Sequence, residues 1–179
     1  MSQAAEFSDD TMKGASARAM DGAFADSDNV DDMYLTFALA NEEYGVGIGV
    51  VTEIVGMQRI MSVPDMPHYI KGVINLRGKV IPLMDARLRF GMPERAYDDR
   101  TVVIVMDVAD ALIGLIVDGV SEVLEIPPAN VDSNSQFGKG GKSVISGIGK
   151  SGERVSILLD TSVLVSDSDI NLPKDIAAA

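Results

Sequence analysis

Asp85 and Asp160 each end an apolar run, Leu83-Met84-Asp85 and Leu158-Leu159-Asp160, at matching places in two halves of the chain. Aspartates paired from two β halves can share a proton and activate water, the chemistry of aspartic proteases. Leu158-Leu159-Asp160-Thr161-Ser162 hints at the Asp-Thr-Gly turn of such sites, but Asp85 is followed by Ala86-Arg87, without hydroxyl or glycine. The simpler role is capping, each carboxylate accepting backbone N–H bonds from a short helix that follows its strand. His68 is the single histidine and there is no cysteine. A zinc site or a Ser/His/Asp triad would therefore rest on His68 alone, and it reads as a surface residue opening a helical turn. Gly138-Lys139-Gly140-Gly141-Lys142-Ser143 ends in Lys-Ser like a phosphate loop, but Gln136 stands where the first glycine belongs. With no strand directly before it and no helix directly after, it reads as an insertion loop.

Glu53 and Arg77 are isolated opposite charges in apolar surroundings. They suit a partly buried ion pair that locks a hairpin to the segment 51–55, or the rim of a binding groove, and one pair can do both. Phe137 is an aromatic in a polar loop. It either tucks onto the fold or anchors a partner, as interface aromatics do.

The elements that must position these residues are strands. Gly72 to Asp85 places Val73-Ile74 and Val80-Ile81-Pro82-Leu83-Met84 on either side of Asn75-Leu76-Arg77-Gly78, a hairpin whose turn needs a positive φ at Gly78. Strands are expected at 34–39, 44–48, 101–106, 111–117, 120–126, 144–148 and 155–159. Residues 50–55 read as a helical turn or a strand, 55–63 as extended, 68–71 as a helical turn closed by Gly72, and 86–90 as a short helix stopped by Gly91. A last turn is expected at Gly149-Lys150-Ser151-Gly152.

The halves repeat. With Glu53 on Glu122, Gly45-Val46-Gly47-Ile48 falls on Gly114-Leu115-Ile116-Val117; further on, Gly72 falls on Gly147, Val80 on Val155 and Asp85 on Asp160. Six extra residues of the second half fall in 130–142. In this alignment Lys150 is the basic residue of the second turn. Many short strands with glycine-rich turns indicate small barrels. The expected fold is all-β, mainly strands with short helices: two five-stranded SH3-like β-barrel subdomains related by a pseudo-twofold and sharing a core, with a boundary near 92–100.

The 179 residues suffice for one domain or two small packed ones, and 46% hydrophobic residues with only 5% aromatics demand an aliphatic core. The formal charge is −12, which disfavours nucleic acid and anionic lipid as partners. Half of it, −6, lies in residues 1–32, where eight carboxylates face Lys13 and Arg18. Residues 1–32 read as a disordered acidic extension, 33–165 as the folded region and 166–179 as a flexible tail. No signal peptide or membrane-spanning run is apparent, so the expected location is cytoplasmic.

Residues 34–48, Val51-Thr52-Glu53-Ile54, Pro67, Ile70-Lys71-Gly72-Val73-Ile74-Asn75-Leu76-Arg77-Gly78, Val80-Ile81-Pro82-Leu83-Met84-Asp85 and Val117-Asp118-Gly119-Val120 together resemble the CheW family of bacterial chemotaxis coupling proteins. The likeness covers 34–165. It departs from the family in the long acidic leader and in Gly47-Ile48-Gly49, where an Asp-containing version is common. The resemblance implies a fold of two five-stranded barrels and a non-enzymatic adaptor without cofactor or metal. It would link the cytoplasmic tip of methyl-accepting chemoreceptors to the regulatory domain of the histidine kinase CheA, in membrane-associated arrays but without membrane insertion. Carried over, Val51, Glu53, Ile54, Arg77, Val102 and Val123 would face the receptor, and Ile60, Met61 and Val63 the kinase. Phe137 would sit at a second kinase contact that closes rings. A generic scaffold for another helical partner and a protease using Asp85 and Asp160 are the alternatives.

Overall fold

The computed structural model describes residues 30–133 and 144–165. The strands are β1 (Met33–Leu39), β2 (Glu42–Gly47), β3 (Val51–Gly56), β4 (Ile70–Leu76), β5 (Lys79–Asp85), β6 (Val102–Val108), β7 (Ala111–Val117), β8 (Gly119–Glu125), β9 (Val131–Asp132), β10 (Ile145–Ser151) and β11 (Arg154–Leu159). One-turn helices α1 (Ala86–Arg89) and α2 (Thr161–Leu164) follow β5 and β11. The first sheet runs β8-β1-β2-β11-β10-β9 and the second β3-β6-β7-β5-β4. The mainly β, two-part architecture is the expected one. The first sheet gains a sixth strand in the two-residue β9; its counterpart in the second is the isolated bridge Met61↔Val73.

The repeat governs the topology. β2 lies parallel to β11 with Gly45 opposite Leu158, and β7 lies parallel to β5 with Gly114 opposite Leu83. These are the same two repeat positions with the halves exchanged. Each sheet therefore joins the opening hairpin of one half to the later strands of the other. The halves meet near 92–100, but the chain changes sheets elsewhere, through the 3-10 turn Ile48–Val50 and at Asp118.

Alternation along the strands buries two clusters. One, including Leu35, Phe37, Ile48, Met84, Ile104, Met106 and Leu115, draws on both sheets and is the shared core. The other, including Val55, Ile74, Ile81, Leu83, Val103 and Val105, fills the second sheet's interior. Few aromatics are needed: Phe37 stacks on Tyr44 (6.0 Å) and Tyr44 on Phe90 (5.7 Å), tying the first sheet to the end of α1.

Both aspartates of the sequence argument are caps. Asp85 Oδ1 accepts the Leu88 N–H and Asp160 Oδ1 the Val163 N–H, each at 3.2 Å. Asp85 Oδ2 also accepts the Tyr97 hydroxyl at 2.7 Å. Burial, followed by that bond, drives the Tyr97 pKa far up.

Three local expectations are corrected. The segment at 68–71 is not a helical turn: β4 starts at Ile70, and Gly72, at φ 144°, sits in a bulge where Met61 passes too close for a side chain. Residues 55–63 are extended only to Gly56, with one further bridge at Met61. The last turn is at Gly152 and Glu153, since Ser151 pairs with Arg154. Gly149 lies within β10, where a Cβ would meet Ile126 Cδ1 at 3.0 Å, so its smallness serves packing.

Candidate functional site

β3 and β8 are the pseudo-equivalent edge strands of the two sheets. Each carries a bulge at the same place. In β3, Thr52 is the extra residue between the pairs Val51↔Met106 and Glu53↔Val105. In β8, Ser121 and Glu122 together oppose Thr36. Threonine hydroxyls pin both irregularities: Thr52 Oγ1 donates to Val105 O (3.2 Å) and Thr36 Oγ1 to Glu122 O (2.8 Å). A bulge re-aims side chains by breaking the two-residue alternation. Val51 and Ile54, three apart, thus both face the shared core, and so do Val120 and Val123.

The sequence-predicted receptor residues consequently divide. Val51, Ile54, Val102 and Val123 all pack on the shared core; Val51 is buried, while the other three are half-buried on its margin. Glu53 points the other way, toward the side of β3 that carries Val55, and there pairs with Arg77. These two rim the open end of the second sheet, a groove of about 230 Å³ floored by Ile81, Val105 and Leu112, with Lys79 and Asp107 completing the rim.

The ion pair has a clear mechanical role. β3 and β4 are opposite ends of a sheet that hydrogen bonding leaves open, and Glu53–Arg77 spans that seam. Arg77 and Gly78 form the hairpin's two-residue turn at φ 54° and 86°, and Asn75 Oδ1 accepts the Gly78 N–H at 2.9 Å. Gly78 behaves as expected, but Arg77 in the left-handed region is strained where glycine would not be. That strain aims its side chain across the seam. The guanidinium is 61% exposed, so the pair contributes only about 1 kcal/mol or less. Arg77→Ala should lose that amount in urea denaturation, whereas Arg77→Gly should lose less because it relieves the turn. Equal losses would show that the turn stores no strain.

The second half has its own clasp. Superimposing Val80 on Val155 puts Lys79 on Arg154, and Arg154 pairs with Glu122, the counterpart of Glu53. It also binds Glu43, which lies near Ser156. Lys150, matched to Arg77 by the sequence reading, lies within β10 and is not the equivalent charge. Arg154 could have been found by asking which residue pairs with Glu122 once Glu53 had Arg77. Where the second sheet's mouth is a groove with an apolar floor and a charged rim, at the corresponding place in the first sheet Arg154 gathers Glu43 and Glu122, and the Ser156 hydroxyl donates to Glu43.

Ile60, Met61 and Val63, which the resemblance assigns to the kinase, form one short stretch alongside β4. Ile60 packs on the second sheet's interior, while Met61 makes two backbone bonds to Val73, each 2.8 Å, and leaves its side chain 52% exposed. Phe137 and the Gly138–Ser143 loop lie outside the described residues. Among the described residues no group of histidines and carboxylates could hold a metal, and no helix is long and apolar enough to cross a membrane.

A further charged centre joins the sheets. Asp118 accepts bonds from Arg87 (2.6 Å), Arg95 (3.2 Å) and the Ala40 N–H (2.8 Å). Its burial would raise its pKa, but the bonds from Arg87 and Ala40, with the two guanidinium charges, outweigh this and hold it low. The Val117-Asp118-Gly119-Val120 motif was visible in the sequence; its partners, dispersed along the chain, were not.

The chain matches the CheW-like domain family over residues 33–169. It is 36% identical over 151 residues to the chemotaxis protein CheW of Klebsiella aerogenes, covering 84% of this chain and 91% of that protein. To the chemotaxis protein CheW of Helicobacter pylori it is 32% identical over 135 residues, 75% and 82% of the two chains. The crystal structure of the scaffolding protein CheW from Thermoanaerobacter tengcongensis superimposes with a TM-score of 0.72 at 30% identity, covering 79% of this chain and 97% of that one. Sequence, repeat topology and solved structure agree: this chain belongs to the CheW-like family.

Proposed function

We propose that this chain is a chemotaxis adaptor without catalytic activity, coupling the cytoplasmic tip of methyl-accepting chemoreceptors to the regulatory domain of CheA within cytoplasmic receptor arrays. The observation that carries this reading, beyond family membership, is the margin formed by Ile54, Val102 and Val123. These are half-buried aliphatic side chains: Ile54 and Val123 lie on the pseudo-equivalent edge strands β3 and β8, and Val102 on β6, the strand beside β3, a surface suited to an apolar helix. Glu53 and Arg77 act on this margin from behind, by holding β3, and they rim a groove of their own. Ile60, Met61 and Val63 serve the kinase side, where the exposed Met61 offers an adaptable apolar contact; Phe137 serves the second kinase contact. The occupied carboxylates of Asp85 and Asp160 support a non-enzymatic reading, since each is committed to capping its helix. Titration against a CheA regulatory-domain fragment should show binding at or below roughly 10 µM, an ordinary affinity for a signalling contact. Absence of binding by a sample that circular dichroism shows to be folded would sink the proposal.

A further inference from the structure

We propose that Arg154 is a positioning residue for partner binding: it sets the edge strand β8, and with it Val123, as Arg77 sets β3 and Ile54. The inference rests on the reading above that places Val123 on the receptor side. Among the described residues β8 is hydrogen-bonded to one neighbouring strand, β1, and beside Glu122 the backbone ladder gives way to the Thr36 hydroxyl, which donates to Glu122 O (2.8 Å) and accepts its N–H (3.2 Å). At the bulge its position therefore rests on side chains: Thr36 holds the Glu122 backbone from β1, and Arg154, reaching from β11, takes the Glu122 carboxylate. The same guanidinium binds Glu43 on β2, so one cation joins three strands of the first sheet.

Without that cation the two carboxylates face one another. Like charges at close range repel, and β8, held along one edge, is the element free to yield. Val123 is next in sequence to Glu122 and points to the opposite face, so a shift of the strand moves it on the margin of the shared core. The two clasps differ in reserve. Arg154 is 38% exposed and holds two carboxylates, whereas Arg77 is 61% exposed and has Glu53 as its ion-pair partner. Glu122 is itself 53% exposed against 19% for Glu53, so the second carboxylate, Glu43, is what distinguishes the Arg154 clasp, and no sequence motif marks Arg154.

The experiment compares full-length wild type, Arg154→Met and Arg154→Lys by amide exchange and by binding to a chemoreceptor-tip fragment and a CheA regulatory-domain fragment. Arg154→Met should speed exchange in 120–124 about tenfold with β6 and β7 unchanged. It should weaken the receptor fragment about tenfold while kinase affinity stays within about twofold. Arg154→Lys, retaining the charge, should recover most of both effects. Unchanged exchange in β8 overturns the proposal whatever binds, and so does faster exchange with unchanged receptor affinity. If the wild type fails to bind the receptor fragment, the receptor reading falls and the functional role of Arg154 with it; the exchange data still separate that result from failure of the clasp.

Discussion

Gly72→Ala is expected to destabilise the protein by about 3 kcal/mol or more, through backbone strain and two weakened hydrogen bonds. Gly72 sits at φ 144°, which an L side chain rarely adopts. An added Cβ would lie 2.2 Å from the Met61 carbonyl oxygen and 2.9 Å from its carbon, with Ile60 Cγ2 at 2.8 Å. The first two are backbone atoms, so no rotamer change relieves the overlap; the 60–61 segment must leave β4 and loosen both Met61–Val73 bonds. The midpoint of thermal unfolding should fall by roughly 6–12 °C for a chain of this size. Gly147, the repeat counterpart, provides the control. Its added Cβ would meet Asp132 O at 3.0 Å and Val131 Cγ1 at 2.9 Å, so Gly147→Ala should cost clearly less. A Gly72→Ala protein that melts with the wild type would refute the account of the bulge. On the proposed kinase role of residues 60–63, kinase binding should weaken more than receptor binding, because Met61 moves with the displaced segment.

Asp118→Ala should cost about 3 kcal/mol at neutral pH, the scale for removing one member of a largely buried pair. Arg87 would keep its charge at 15% side-chain exposure without the carboxylate that receives it, and the Ala40 N–H would lose its acceptor in a turn at φ 56°. The pH dependence gives a second signature. Asp118 is held below the ordinary carboxylate pKa, so its contribution is complete above the unfolded value near 3.9 and disappears as pH falls through the lower, folded value. Urea denaturation should therefore show wild type and Asp118→Ala converging as the pH drops below about 4, with the wild type losing stability faster. A constant gap from pH 7 down to pH 2 would mean that the loss is one of packing and not of charge.

What could be read from the sequence was governed by pattern, and what could not by glycine and by a single bulge. The repeat was legible because apolar runs, Glu53 and Glu122, and Asp85 and Asp160 recur in order; the exchange of hairpins between sheets leaves no trace in that order. Glycine marked turns correctly at Gly78 and Gly91 but not at Gly149 or Gly72, where it serves close approach. Nothing local separates these uses: Gly114 lies in mid-strand because a Cβ would meet Leu83 Cδ2 at 2.5 Å and Val103 Cγ1 at 2.6 Å. The site suffered from Thr52. Regular alternation would put Val51 and Glu53 on one face, and the resemblance assigns both, with Ile54, to one receptor surface. The bulge reverses the alternation after Val51, so Glu53 and Ile54 act from opposite faces of one strand. The pair Glu53–Arg77 could be guessed because both charges stand alone among apolar neighbours, whereas Arg154 collects carboxylates 111 and 32 positions away, beyond the reach of local pattern.

The exchanged hairpins also relate the two sheets by circular permutation. The second sheet reads β3, β4, β5, α1, β6, β7 without interruption; the first reads β8 to β11 and α2, then resumes at β1 and β2. The link from Phe90 to Val102 in the second sheet therefore corresponds to a gap from Val165 to Met33 in the first. Val165 and Met33 thus hold the repeat positions of Phe90 and Val102, and all four pack against the shared core. A closing peptide of comparable length would join Val165 to Met33, and the natural place to reopen such a ring is the 91–100 link, which carries the same spatial role.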